Sequence, residues 1–184
     1  MKPLFTIHAG EYLVGSHIEK QFKDWRVWIP SKDTGTDLLV TNSDNSKTAS
    51  IQVKFSKDFL VTHHKPTDQR KLISAGWWTL NRQKLAGSSA DFWVFVLHSF
   101  QQKEMQYVIV QPRELYERLN QLHPLPKIIH TYLRVTKAKT CWEARGLNKD
   151  EQDAIANNDT GSIDTTRNFT QFLNNWEPVK KKLT

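Results

Sequence analysis

The stretch GTDLLVTNSDNSKTASIQVKFS, residues 35–56, contains two strand-like runs that are interrupted by polar residues. The runs TDLLVTN and ASIQVKFS are rich in β-branched and apolar residues, and the intervening SDNSK has the composition of a turn. Asp37 opens the first run, and Gln52 and Lys54 interrupt the second. Because strand side chains alternate between faces, Gln52 and Lys54 are predicted to lie on the same face. An acid, an amide and an amine are thus expected to meet in one part of a sheet.

This set of side chains suits the chemistry of phosphodiester hydrolysis. A hard divalent cation neutralises the phosphate and lowers the pKa of an attacking water, and Mg²⁺ prefers oxygen ligands with positions left for solvent. Asp37 offers a carboxylate, Gln52 offers an amide oxygen, and Lys54 offers a positive charge that can approach a phosphate. The pattern therefore predicts a metal site.

The surrounding sequence predicts an α/β fold. Residues 7–22 have the apolar spacing of an amphipathic helix that carries Glu11, and WRVWIP, residues 25–30, is typical of a strand. We expect this strand and the two that follow to form an antiparallel meander whose third strand is central. A helix is predicted over residues 77–86, ended by GSS. The strands DFWVFVLHSF and QYVIVQ follow it, and DFWVFVLHSF is expected to be covered on both faces.

The final helix of this unit, PRELYERLNQL, begins with Pro, which gives the order α-βββ-α-β-β-α around a central mixed sheet. We assign residues 1–124 to this core and residues 125–184 to an extension packed on it. In the extension PLPKI is interpreted as a linker and IHTYLRVT as a strand, and NKDEQDAIANN and TRNFTQFLNNW are interpreted as short helices.

A helix with Glu, a strand with Asp and a strand with Gln-x-Lys resemble the PD-(D/E)xK nuclease superfamily, which has a restriction endonuclease-like core. The matching residues are Glu11 in GEYLVG, Asp37 in GTDLLV, and Gln52, Val53 and Lys54 in IQVK. The resemblance covers roughly residues 8–120. The Gln variant of the second motif is most similar to that of modification-dependent restriction endonucleases.

The resemblance implies roles for these residues. Asp37, Gln52 and the backbone carbonyl of Val53 would bind Mg²⁺, for which Mn²⁺ is expected to substitute, and Lys54 would position or activate the water. Glu11 would serve a second metal or orient the outer shell. The chain departs from the family pattern in two ways: no Pro precedes Asp37, and Gln52 replaces an acid. Loss of one negative charge lowers metal affinity unless Glu11 compensates.

The charge and the single cysteine restrict the partners and the compartment. Twenty-six Lys and Arg residues against 19 Asp and Glu residues give a formal charge of +7 over 184 residues, which favours polyanions, more commonly nucleic acid such as DNA than an anionic membrane. Charge alone does not distinguish these partners from a solvated basic face with no partner. Cys141 is the only cysteine, so we expect it to be buried, with no disulfide, in a reducing cytoplasmic compartment. The N-terminal sequence has no long apolar run, and we predict neither a signal peptide nor a membrane partner.

Two further pairs of residues need interpretation. His63 and His64 are adjacent and would face opposite sides of a strand, which favours a solvated or DNA-contacting loop over a zinc site. Trp77 and Trp78 lie near Arg82 and Lys84. We expect one Trp to be buried, and we expect Arg82 and Lys84 to be exposed near a DNA backbone.

The leading hypothesis is a metal-dependent endodeoxyribonuclease of the restriction type, for which a homodimer is one possible assembly and the sequence leaves open whether two copies pair to cut both strands. The alternative is a nucleic-acid-binding relative with little or no catalytic activity, and a third interpretation is a protein-interaction module with an incidental basic face. A purely structural interpretation also exists. In it Asp37 is a turn residue, Gln52 and Lys54 face solvent on an edge strand, and Glu11 is an exposed helix acid.

Overall fold

The computed structural model describes residues 8–32, 34–57, 59, 70–99 and 103–184. These residues form an α/β fold with a mixed central sheet flanked by helices. In chain order the elements are α1 (Ala9–Gln21), β1 (Arg26–Trp28), β2 (Leu38–Thr41), β3 (Thr48–Ser56), β4 (Leu72–Asn81), α2 (Arg82–Ala86), β5 (Phe92–Ser99), β6 (Glu104–Val110), α3 (Pro112–Leu122), β7 (Ile128–Thr136), β8 (Cys141–Glu143), α4 (Lys149–Ala156) and α5 (Glu177–Leu183). Two 3₁₀ turns, Thr165–Arg167 and Thr170–Phe172, precede α5.

The central sheet has five strands in the order β1-β2-β3-β5-β6. β1, β2 and β3 form the predicted antiparallel meander, in which Leu38 lies opposite Ile51. β3 then pairs in parallel with β5, and β5 pairs with β6 in antiparallel fashion. The prediction that the third strand is central is therefore confirmed.

Alternation along β5 divides the interior into two cores. Phe92, Val94 and Val96 point to one face of the sheet, where they join Val14 and Ile18 of α1. Trp93, Phe95 and Leu97 point to the other face and join residues of the second sheet and of α3. The prediction that this strand is covered on both faces is confirmed, and it explains the nearly continuous apolar run.

The second sheet contains β4, β7 and β8 and corrects one prediction. The helix expected over residues 77–86 is wrong at its start, because Leu72–Asn81 is a strand that pairs along its length with β7. Only Arg82–Ala86 is helical. This helix is capped by the Asn81 side chain, which accepts from the Lys84 amide at 3.0 Å, and it ends at Gly87 as the GSS signal indicates. The element order therefore contains a fourth strand before the second helix.

The exposure of residues 77 and 78 is that of a strand. Trp78 is 5% exposed and Trp77 is 40% exposed, as expected for neighbours on opposite faces of a strand. The Trp78 ring lies over Gly76, where an added Cβ would approach it to 2.2 Å. Gly76 is thus required by a close packing contact within β4. One buried Trp of the pair was predicted, and this is confirmed.

Residues after 124 contribute to both cores. Ile129, Leu133 and Phe169 belong to the core between the sheets, whereas Val179 and Leu183 of α5 belong to the core beside α1. The predicted strand in IHTYLRVT is confirmed as β7, and the last predicted helix is replaced by the two 3₁₀ turns. The division at residue 124 stays a prediction.

Three smaller expectations can be placed. Cys141 is fully buried, and burial raises the pKa of its thiol. His63 and His64 lie outside the described residues. Among the helices that the structure describes, none has the length and apolar character needed to cross a bilayer.

Candidate active site

A cavity of about 1090 Å³ opens beside β3. It is bounded by the start of α1, by the turn before β2, and by the corner where β4, α2 and the approach to β5 meet. Glu11, Asp37, Gln52, Val53 and Lys54 all line it. The four residues that the sequence predicts as metal ligands and the predicted catalytic Lys54 thus line one cavity.

The cavity exists because β2 is shorter than β3. Pairing of the two strands stops at Leu38 and Ile51, and the last backbone bond runs from the Asp37 amide to the Ile51 carbonyl at 2.8 Å. Beyond this point β3 continues to Ser56 without β2 beside it. Side chains from both faces of β3 can therefore line a cavity at its open edge.

The side chain of Asp37 continues the hydrogen bonding to β3 beyond the point where the β2 backbone stops pairing. Its side chain is 7% exposed, and Oδ2 accepts a hydrogen bond from the Val53 amide at 2.8 Å. The N–H and C=O groups of one strand residue point to the same edge, so the Val53 carbonyl faces the side on which Asp37 lies. The carboxylate of Asp37 and the carbonyl of Val53 are thus directed to the same open edge.

Gln52 lies directly against Asp37. Its side-chain amide donates a hydrogen bond from Nε2 to Oδ2 of Asp37. The Oε1 atom of Gln52 is near the preceding turn, where a Cβ added at Gly35 would lie 3.9 Å away. Gly35 has a φ of +85°, which favours glycine and allows the chain to turn into Asp37. Asp37 therefore faces the uncharged amide donor of Gln52, and the Gln52 amide oxygen lies toward the turn at Gly35.

Lys54 shares the Gln52 face of β3, as strand alternation predicts. Its Nζ lies 5.0 Å from the centroid of the Trp93 ring. The ring of Trp93 is 5% exposed and is fixed by a hydrogen bond from Nε1 to Ser88 Oγ at 2.9 Å. A buried ring that attracts the ammonium group holds this positive charge inside the cavity.

Glu11 reaches the cavity from the first turn of α1 and is 4% exposed. The helix approaches β3 closely at Gly10, where an added Cβ would lie 2.6 Å from Phe55 Cβ and 3.2 Å from Val53 Cγ1. The absence of a side chain at residue 10 thus sets the distance between α1 and β3. Burial of Glu11 also argues against its interpretation as an ordinary exposed helix acid.

Of the two predicted DNA-contacting residues, Lys84 is exposed as expected, whereas the expectation that Arg82 is exposed is wrong. Lys84 is exposed and lines the cavity. Arg82 is half-buried, and its guanidinium donates to Asn120 Oδ1, to the His123 carbonyl and to the Pro126 carbonyl. Arg82 therefore ties the start of α2 to the loop after α3. The DNA contact of both residues stays a prediction.

Several polar cavity residues were missed by the sequence analysis. Thr79 and Asn81 line the cavity from β4, and Ser88 and Ser89 line it from the loop before β5. Thr79 and Asn81 follow Trp77 at every second position, so a strand prediction would have placed both on the same face. The helix predicted over residues 77–86 did not place them together.

The residue types that line the cavity supply the oxygen donors that a hard cation requires, although Gln52 turns Nε2 and not Oε1 toward Asp37. Two carboxylates, one amide oxygen and one backbone carbonyl come from Asp37, Glu11, Gln52 and Val53, which is the kind of ligand that Mg²⁺ prefers. Within the described ranges no group of three or more His, Cys, Asp and Glu residues is suited to hold a metal ion. The fit therefore depends on the amide and the carbonyl as well as on the acids.

Comparison of the chain with protein-family models, curated proteins and solved structures gives no match.

Proposed function

We propose that the protein is a metal-dependent endodeoxyribonuclease with a restriction endonuclease-like core, with DNA as its partner. The observation that carries the proposal is the open edge of β3. There Asp37, the Val53 carbonyl, Gln52, Glu11 and Lys54 meet in one cavity of a basic protein. Their order along the chain is that of the PD-(D/E)xK pattern.

In this proposal Asp37, Gln52, Val53 and Glu11 hold Mg²⁺, or Mn²⁺ in its place. The ion supplies charge neutralisation at the phosphate and lowers the pKa of a bound water. Rotation of the Gln52 amide about its last side-chain bond exchanges Nε2 for Oε1 and presents an oxygen beside Asp37. Without this rotation Gln52 presents a donor there.

Lys54 provides the positive charge that faces the phosphate. In hydrolysis the attacking water would lose one proton to solvent as its oxygen bonds phosphorus, one P–O bond to a nucleotide would break, and the displaced oxygen would take up one proton from solvent. The Trp93 ring keeps the ammonium group on the cavity side of β3.

The alternative, a nucleic-acid-binding relative of little or no activity, is favoured by one observation. The hydrogen bond between Gln52 and Asp37 satisfies the acid without a cation, whereas two acids in these positions would repel each other. This arrangement is compatible with a protein that binds DNA without cutting it.

The test is cleavage of supercoiled plasmid with Mg²⁺ or Mn²⁺, with and without EDTA. Wild-type protein is expected to cut only with the metal. Lys54→Met keeps the aliphatic stem over Trp93 and should be inactive. Lys181→Met, at an exposed position of α5 outside the cavity, is the matched control and should be fully active.

Other outcomes separate the remaining functions. Cleavage that persists in EDTA, or full activity of Lys54→Met, would overturn the proposal. Absence of cleavage together with salt-dependent DNA binding would support the inactive relative. Absence of salt-dependent binding would favour a protein-interaction module.

A further inference from the structure

The outer face of the second sheet carries a row of aromatic rings beside the cavity. Trp77 on β4 lies opposite Tyr132 on β7, and His130 lies one step further along β7 on the same face. The Trp77 ring is nearly parallel to both, at 13° to Tyr132 and 19° to His130, with centroids 6.1 and 5.9 Å away. We name these three residues the aromatic row.

The aromatic row is accessible although large side chains of a sheet are usually buried. Trp77 is 40% exposed, whereas its neighbours Gly76 and Trp78 are buried. The Phe59 ring packs near two rings of the row, with its centroid 6.0 Å from that of Trp77 and 5.5 Å from that of Tyr132. The rings thus have support within the protein and leave part of Trp77 open.

The row continues directly into the cavity. Thr79 follows Trp77 on the same face of β4, about 7 Å further along the strand, and it lines the cavity. Its hydroxyl lies 3.3 Å from His130 Nδ1. The strands of the two sites are also joined, because the Trp77 amide donates to Ser56 Oγ at 3.1 Å, and Ser56 lies two residues after Lys54 on β3.

The chemistry of this surface combines flat apolar rings with nearby positive charge. Lys54 and Lys84 line the adjacent cavity, and the whole chain carries a formal charge of +7. Aromatic side chains beside a basic groove are the means by which proteins bind single strands, because each base can stack on a ring while its phosphate meets a cation. A fully paired duplex keeps its bases stacked inside and cannot use the rings in this way.

We infer that the aromatic row is a stacking platform for an unpaired base, so that the substrate is DNA with single-stranded nucleotides next to the phosphate held in the cavity. The assignment of a substrate rests on the proposed nuclease function. The binding of single-stranded DNA to the row does not require metal or cleavage. The two can therefore be tested separately.

The experiment measures binding of a fluorescently labelled single-stranded oligodeoxynucleotide and of a blunt duplex of the same sequence by anisotropy, in EDTA. Trp77→Ala is expected to weaken binding of the single strand by about 5- to 150-fold, the effect of losing one stacked base. Binding of the duplex should change by less than about twofold. Trp77→Tyr, which keeps a ring, should retain most of the affinity.

Trp28→Ala is the matched control, because Trp28 is 50% exposed on β1 and lies outside the aromatic row. It should leave both affinities unchanged, and thermal melts verify that each variant is folded. Equal binding of the single strand by wild type and Trp77→Ala overturns the inference, as does an equal loss for both DNA forms. Equal metal-dependent cleavage by wild type and Trp77→Ala of a duplex that carries unpaired nucleotides would contradict the platform alone. Trp77-dependent binding of the single strand without any cleavage would contradict the nuclease alone.

Discussion

Gln52 donates a side-chain hydrogen bond to Asp37, and the same carboxylate oxygen accepts the amide of Val53. Asp37 therefore has a structural role, in which it replaces the missing β2 backbone, and a proposed chemical role as a metal ligand. Substitutions at residue 37 must separate the two roles. The usual change to Ala removes both at once.

Asp37→Asn is expected to separate them. The amide oxygen of Asn can still accept from the Val53 amide, so the melting temperature should stay close to that of the wild type. The negative charge is lost, so cleavage with Mg²⁺ should be abolished. Asp37→Ala should also be inactive, and it should lose about 1–3 kcal/mol of stability because a buried N–H is left without its acceptor.

Thermal melts and plasmid cleavage for the three proteins check this prediction. DNA affinity in EDTA provides the control for binding, and it should be equal or tighter in both variants because a charge that repels phosphate is removed. Cleavage by Asp37→Asn at the wild-type rate would exclude the carboxylate as a metal ligand.

Gln52→Glu is expected to make the stability of the protein depend more strongly on bound Mg²⁺. It places two carboxylates side by side, so the variant should melt at a lower temperature in EDTA and gain more stability from Mg²⁺ than the wild type gains. It should remain active and need less Mg²⁺ for half-maximal cleavage. Gln52→Leu should be inactive at every Mg²⁺ concentration.

The measurement is a Mg²⁺ titration of both melting temperature and cleavage. If Gln52 only bonds Asp37 and holds no cation, Gln52→Glu should gain no more stability from Mg²⁺ than the wild type gains. Full activity of Gln52→Leu at low Mg²⁺ would eliminate the ligand role of the amide.

The parts of the site that depend on local sequence could be predicted, and the parts that depend on distant contacts could not. Gln52 and Lys54 share a face because strand side chains alternate, and Asp37 reaches them through the β2–β3 hairpin. The sequence predicts a helix in part of β4 because the partner of this strand, β7, lies about fifty residues later in the chain. A window around Trp77 and Trp78 contains no information about such non-local pairing.

The position of Glu11 also depends on a contact between residues distant in sequence, because α1 packs against β3 at Gly10. A substitution at Gly10 therefore tests what sets the position of α1. Gly10→Ala should push α1 away from β3, since the added Cβ would meet Phe55 Cβ at 2.6 Å. We expect a loss of about 1–3 kcal/mol of stability from overpacking. Cleavage should also fall, because Glu11 moves away from Asp37.

Gly15→Ala in the same helix is the control. Its Cβ would lie 3.5 Å from Val27 Cγ1, an ordinary contact, and Ala favours a helix over Gly by up to about 1 kcal/mol. This variant should melt at or above the wild-type temperature with unchanged activity. Equal melting temperatures for the two variants would show that the contact at Gly10 does not set the position of α1.

The last prediction concerns Arg82 and Lys84, which the sequence analysis expects to act together on DNA. The structure gives them different surroundings, because Lys84 lines the cavity whereas Arg82 donates to Asn120 and to two loop carbonyls. Lys84→Gln should therefore lower the slope of log affinity against log salt by about 0.9, the value for one phosphate contact, with no change in stability. Arg82→Gln should instead lower the melting temperature, because several hydrogen bonds to the loop after α3 are lost.

Salt titrations of DNA binding and thermal melts of each single variant distinguish these effects, and the double variant tests their additivity. A decrease of about two in the slope for the double variant, shared equally by the single variants, would show that Arg82 also contacts a phosphate.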